Sequence, residues 1–170
     1  AVVLEISVLM TQFPGREIAR LSYDYRTRGL GFANSGGYLM SGSLDYDADE
    51  GRAFCGAISA IMTGVCYATS AEIARERGAF ARFGENREAM LRVMRNHRRA
   101  AHGHADGYEA LSIAPVPLDR TALTDQRLAD AASAAWDRAV SLGEQHGYRN
   151  AQTTAVAPTG TIGLVMDRDT

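Results

Sequence analysis

Thr153-Thr154-Ala155-Val156-Ala157-Pro158-Thr159-Gly160-Thr161-Ile162-Gly163 is the stretch on which the reading of this chain turns. Residues 152–157 read as a buried strand that delivers a small, hydroxyl-rich turn to a surface. Pro158 fixes its own φ and has no N–H to give to a ladder. Gly160 is free to take a positive φ and puts no side chain in the way of a ligand. The backbone N–H groups after Pro158, with the hydroxyls of Thr159 and Thr161, can converge on an anion. A helix starting near Thr161 would add roughly 0.3–1 kcal/mol for a negative group. Each hydrogen bond to a charged oxygen would add roughly 1.5–3 kcal/mol. Pro-Thr-Gly equally suits a plain β-hairpin turn. From these residues alone both readings stay open.

Working outward, the chain has 170 residues, enough for one domain. Its hydrophobic content of 46% and charged content of 22% are those of a globular protein. The net charge of −2 excludes a strongly basic nucleic-acid binder. All 18 basic residues are Arg, so there is no P-loop lysine and no Schiff-base lysine. Cys55 and Cys66 lie 11 residues apart; on one helix that is roughly 16 Å, too far for a disulfide. They form no zinc pattern and read as core thiols of a reducing, cytoplasmic compartment. The chain opens on apolar Ala1-Val2-Val3-Leu4 and closes at Asp167-Arg168-Asp169-Thr170. The expectation is an internal piece of a longer protein, incomplete at both ends.

Patterning predicts a helix over 1–13, with Leu4 and Val8 on one face, broken by Pro14-Gly15. A second helix runs from Glu17 to Tyr25 with Ile18, Leu21 and Tyr25 at helical spacing. Gly29, Gly31, Gly36 and Gly37 mark a connection, and Asn34 spoils a dinucleotide fingerprint. The longest helix is expected from Asp47 to Arg77, with acids first, arginines last and Gly78 beyond the end. Phe54, Ile58, Ile61, Met62 and Val65 form its expected core stripe. Ala53, Ala57, Ala60, Gly64, Ala68 and Ala71 form a second, small-residue stripe. Residues 53–71 carry no charge, but their hydroxyls and marginal length favour a buried helix over a membrane span. Further helices are expected over 86–101 and from a Thr124 or Asp125 cap to about Gln145, joined by a loop over 102–123.

Three other constellations fall short of chemistry. Asp45, Asp47 and Asp49 resemble a calcium loop, but Gly51 and Gly56 stand at the wrong positions. His97, His102, His104 and Asp106 straddle a helix end, without the fixed geometry a metal needs. Arg87, Arg92, Arg95, Arg98 and Arg99 make one helix basic, with Glu85 and Glu88 nearby to pair with them.

Longer runs go further. Arg16-Glu17-Ile18-Ala19-Arg20-Leu21-Ser22-Tyr23-Asp24-Tyr25-Arg26-Thr27 is followed by Gly29-Leu30-Gly31-Phe32-Ala33-Asn34. Arg95-Asn96-His97-Arg98-Arg99-Ala100-Ala101 and Arg149-Asn150-Ala151-Gln152-Thr153-Thr154 come next, the last running into Ala157–Gly163. In this order they resemble the large chain of adenosylcobalamin-dependent (class II) ribonucleotide reductases over nearly the whole length. The resemblance implies that residues 1–170 are part of a ten-stranded α/β barrel, this piece mainly helical with a strand leading into a phosphate loop. It implies reduction of ribonucleotides, diphosphates first, by a thiyl radical that adenosylcobalamin initiates. It also implies an external dithiol reductant such as thioredoxin and a homodimer in the intact enzyme, with no membrane or nucleic-acid partner. Pro158, Thr159, Gly160, Thr161 and Ile162 match the segment that holds substrate phosphates in that family. The family's Asn-x-Cys-x-Glu segment is absent from these 170 residues, and Cys55 and Cys66 match neither it nor the redox pair. No catalytic residue is therefore assigned, and the piece alone is expected to be inactive. Arg28 stands where the resemblance leads one to expect an aliphatic residue, and Arg168 where it leads one to expect a small residue or Cys. A reductase of another class and a non-catalytic helical interaction module are the alternatives.

Overall fold

The computed structural model describes residues 1–167; Arg168 lies outside the described residues. Seven helices follow in order: α1 (Val2–Met10), α2 (Arg16–Tyr25), α3 (Ser35–Ser41), α4 (Asp49–Arg77), α5 (Phe83–Ala101), α6 (Gln126–His146) and α7 (Gly160–Val165). The α4 helix starts on Asp49 and Glu50, ends on Arg75 and Arg77, and stops where Gly78 turns to φ 81°. Those charges complement the helix dipole at both ends. Asp125 caps α6 by accepting the Arg127 N–H, and Gly147 ends that helix at φ 71°. Pro14-Gly15 ends α1 earlier than position 13. The glycine-rich connection holds an unexpected short helix, α3, entered through Asn34 at φ 70°.

The core is α4 laid along α6, with α5 beside them. The stripe that α4 buries most deeply is the small one: Ala53, Ala57, Gly64, Ala68 and Ala71 are buried. A Cβ on Gly64 would stand 2.9 Å from the Cβ of Ala135, so α6 sits at this contact only because Gly64 has none. The expected large stripe is the lesser one. Phe54, Ile58, Ile61 and Met62 are half-buried, and Val65 is exposed. Trp136 of α6 fills the space that the small residues leave. It meets Tyr67, which in turn meets Tyr148 edge-on at 5.5 Å. Phe80, Phe83, Met90, Leu91 and Met94 complete this cluster. By length and composition α4 could cross a membrane. Its small-residue face is instead packed on α6.

The expected strand is not formed; among the described residues there is no named strand. Residues 152–157 meet the segment around Leu30 in one parallel bridge, Leu30 with Thr154, and the segment is not buried as expected: Gln152, Ala155, Val156 and Ala157 are exposed. Three backbone bonds, each 3.0 Å, join them: Arg28 N–H to the Gln152 carbonyl, Leu30 N–H to Thr153, and Ala155 N–H to Leu30. The pairing cannot lengthen. Asn34 turns one segment into α3, and Pro158 offers no donor on the other.

Candidate functional site

Pro158, Thr159, Gly160, Thr161 and Ile162 form one continuous turn at the end of the extended segment. Thr159 is the N-cap of α7 at φ 58° and ψ 13°, a left-handed conformation costly for a β-branched residue. The positive φ thus falls on Thr159 and not on Gly160, where the sequence placed it. The Thr159 carbonyl accepts the Gly163 N–H at 2.7 Å, while its hydroxyl makes no capping bond. The first-turn N–H groups of Gly160, Thr161 and Ile162 precede the first intrahelical bond and point out of the helix. Pro158, Gly160, Thr161 and Ile162 are exposed, and a Cβ on Gly160 would meet nothing within 4 Å. The turn is therefore an open, donor-rich surface that carries two threonine hydroxyls.

The segment that carries the turn is held from below. Ser70 donates to the Asn150 side-chain oxygen at 2.8 Å and accepts the Asn150 N–H at 3.0 Å. The Tyr67 hydroxyl reaches the Ala151 carbonyl at 3.4 Å, and the hydroxyls of Thr63 and Thr154 meet at 3.1 Å. Asn150 also donates to Glu5 at 2.6 Å and to the Arg26 carbonyl at 2.9 Å. Glu5 accepts from Arg26 Nε at 2.9 Å and Arg149 Nε at 3.1 Å. Burial pushes the Tyr67 phenol up, with Thr153 beside it pulling the other way. Burial also pushes the Cys66 thiol up and draws the Arg28 guanidinium down. These α4 hydroxyls were passed over in the sequence as marks against a membrane span. Their spacing of four and three, one helix face, was the signal available.

A profile of the ribonucleotide reductase barrel domain matches residues 1–170. The chain belongs to the ribonucleotide reductase barrel-domain family. It is 66% identical over 169 residues to a vitamin B12-dependent ribonucleotide reductase of Agrobacterium fabrum, covering 99% of this chain and 13% of that protein. It is 64% identical over 169 residues to the enzyme of that name from Bradyrhizobium diazoefficiens, covering 99% and 14%. For the one from Rhodopirellula baltica the figure is 40% over 166 residues, covering 98% and 14%. The chain spans about an eighth to a seventh of the length of these relatives.

In this reductase barrel-domain chain the remaining sequence candidates are structural. Asp47 and Asp49 both pair with Arg52, as acids at a helix start. His97 stacks on Trp136 with ring centroids 5.0 Å apart, while His102 Nε2 lies 3.0 Å from Asp137 Oδ1. The two imidazoles serve different partners, and no metal-holding group of three exists among the described residues. Arg87 pairs with Glu88, Arg95 with Glu109 and Arg98 with Asp137, which neutralises much of the basic face. Cys66 is buried and Cys55 half-buried, both as free thiols. A cavity of about 460 Å³ lies between α4, α5, α6 and residues 116–119, floored by Ala53, Ala60, Ala101 and Trp136. It is too small to enclose a corrin ring with its nucleotide tail.

Proposed function

We propose that this chain is the part of an adenosylcobalamin-dependent ribonucleotide reductase that presents the substrate phosphate-binding turn, Pro158 to Ile162. The observation that carries the reading is Thr159. A β-branched residue in a left-handed conformation costs of order 1–3 kcal/mol. With Thr159 so placed, the N–H groups of Gly160, Thr161 and Ile162 and the hydroxyls of Thr159 and Thr161 lie in one exposed turn where they would share an anionic ligand. A diphosphate is a multiply charged pair of tetrahedral phosphates whose oxygens accept hydrogen bonds, and a cluster of donors suits it. The intact enzyme would reduce ribonucleoside diphosphates to deoxyribonucleotides, with the 2′ hydroxyl leaving as water and a cysteine pair supplying two electrons. An external dithiol such as thioredoxin would restore that pair. Adenosylcobalamin would supply the radical in the intact enzyme. This chain's residues grip and orient the nucleotide.

The names and identities of the relatives favour the cobalamin-dependent class over other reductase classes. Membership of a catalytic-domain family argues against a non-catalytic interaction module. We further infer a cytoplasmic, homodimeric enzyme without membrane or nucleic-acid partners. The 170 residues contain no Asn-x-Cys-x-Glu segment, and by themselves they should not turn over substrate.

The test is Thr159→Val and Thr161→Val in the intact reductase. Each removes a bond to a charged oxygen worth roughly 1.5–3 kcal/mol. Steady-state assays should show kcat/KM lowered at least about tenfold in each. Wild-type kinetics in both variants would remove the turn from the substrate site.

A further inference from the structure

We propose that Thr63, Tyr67 and Ser70 form a hydroxyl rail on α4 that sets the register of residues 149–154, with Thr63 as the positioning residue for the turn beyond. The proposal rests on the reading of Pro158–Ile162 as the phosphate-binding turn.

The three residues share one helix face and meet the extended segment in reverse order. Ser70 meets Asn150, Tyr67 meets Ala151, and Thr63 meets Thr154. Seven residues of helix rise about 10.5 Å. Four steps of extended chain cover about 13 Å. The two spans agree closely enough for one antiparallel register to satisfy all three contacts. A slip of one residue would take Asn150 off Ser70 and turn Thr154 away from Thr63.

The two ends of the rail are not equally secure. At the Ser70 end Asn150 is fully buried and is bonded also to Glu5 and to the Arg26 carbonyl. At the other end, among the described residues, the hydrogen bond from α4 is the Thr63–Thr154 pair. Beyond it the backbone makes one more bond, Ala155 N–H to Leu30, before Pro158 ends the pairing. Thr63 is itself fixed, because its neighbour Gly64 is pressed against Ala135 of α6. A rigid path therefore runs from the α4–α6 contact through Thr63 to Thr154, five residues before Thr159.

The experiment compares Thr63→Val, Thr63→Ser, Thr154→Val and the Thr63→Val/Thr154→Val double variant in the intact reductase. Val keeps the shape of Thr and loses the hydroxyl; Ser keeps the hydroxyl. Thr63→Val should raise KM for the ribonucleotide about three- to tenfold and change kcat less than about twofold, the effect of one lost neutral bond on positioning. Thr63→Ser should behave as wild type, and the double variant should be no worse than Thr63→Val alone. Amide hydrogen exchange over residues 155–161, measured without substrate, should speed up in Thr63→Val by a similar factor. Unchanged exchange with unchanged KM, an impaired Thr63→Ser, or additive single variants would each overturn the proposal. If Thr159→Val and Thr161→Val both leave kcat/KM untouched, the phosphate reading falls, and exchange alone decides the rail. Faster exchange in Thr63→Val then upholds it and unchanged exchange overturns it.

Discussion

Glu5 carries one negative charge into the interior and meets more than one positive charge there. Arg26 and Arg149 bond to it directly, and Arg28 approaches to 4.0 Å. Glu5, Arg26 and Arg28 are all buried. Removing one partner of a buried ion cluster leaves charge without compensation, which costs about 3–5 kcal/mol. Glu5→Ala should therefore lower the unfolding midpoint severely. Arg28 is the opposite case. Its Nη1 donates to the Ala1 carbonyl at 2.5 Å, but Nε and Nη2 are buried without partners among the described residues. An unmatched buried donor costs roughly 1–3 kcal/mol. Arg28→Leu should stabilise the protein by an amount of that order and raise Tm by several degrees. Glu5 would keep Arg26, Arg149 and Asn150. A calorimetric Tm that falls on Arg28→Leu would show that those donors are used. Arg28 stood out in the sequence because an aliphatic residue was expected there. Glu5 did not, because its partners stand 21, 144 and 145 residues away. One acid in an apolar run carries no trace of such distant partners.

Among the elements, α4 shows what patterning could and could not supply. Its ends were legible because dipole-matched charges and Gly78 are local signals. Which of its two apolar stripes faces the core was not, because that depends on α6. Ala135 and Trp136 need small residues opposite them, and Gly64 answers that need. The strand before the turn was misread for a similar reason: the run of small and β-branched residues ending at Pro158 was visible, but the shortness of the partner segment, cut off by Asn34, was not. Glycine positions test this packing directly. A Cβ on Gly143 would lie 2.0 Å from the Tyr148 hydroxyl and 2.1 Å from its Cζ. Tyr148 is fully buried and donates to the Ala139 carbonyl at 2.9 Å, so it cannot swing aside. Gly143→Ala should destabilise by at least the roughly 1–3 kcal/mol of an overpacked core. Gly84, within α5, has nothing within 4 Å of its would-be Cβ. Gly84→Ala should stabilise by up to about 1 kcal/mol, the helix-propensity difference. Urea midpoints shifted in opposite directions would bear out both assignments. A tolerated Gly143→Ala would mean that Tyr148 is not locked where it stands.

At the scale of the whole molecule, the surface is not that of a self-sufficient domain. On α1, Val3 and Met10 are 75% and 77% exposed, and Val2, Ile6 and Leu9 are exposed beside them. Ile18 and Leu21 of α2, which stand at helical spacing, are exposed too, as is Leu164 of α7 at 84%. Val2, Ile6 and Leu9 with Val3 and Met10 make an apolar stripe along α1, and such a stripe marks an interface. The relatives are seven to eight times longer than the stretch they share with this chain, so most of such a protein lies outside it. We predict that the 170-residue chain expressed alone self-associates at micromolar concentration and binds a hydrophobic dye. Val3→Glu with Leu9→Lys should shift it toward monomer in light scattering, because two charges on the α1 face oppose apolar association. In the intact reductase the same pair should do the reverse of a benefit. There the face would be covered, each charge would be buried without a partner, and the protein should lose several kcal/mol of stability. A dye-silent monomer in the isolated wild-type chain, or an intact double variant as stable as wild type, would show that the α1 face meets solvent in the native protein.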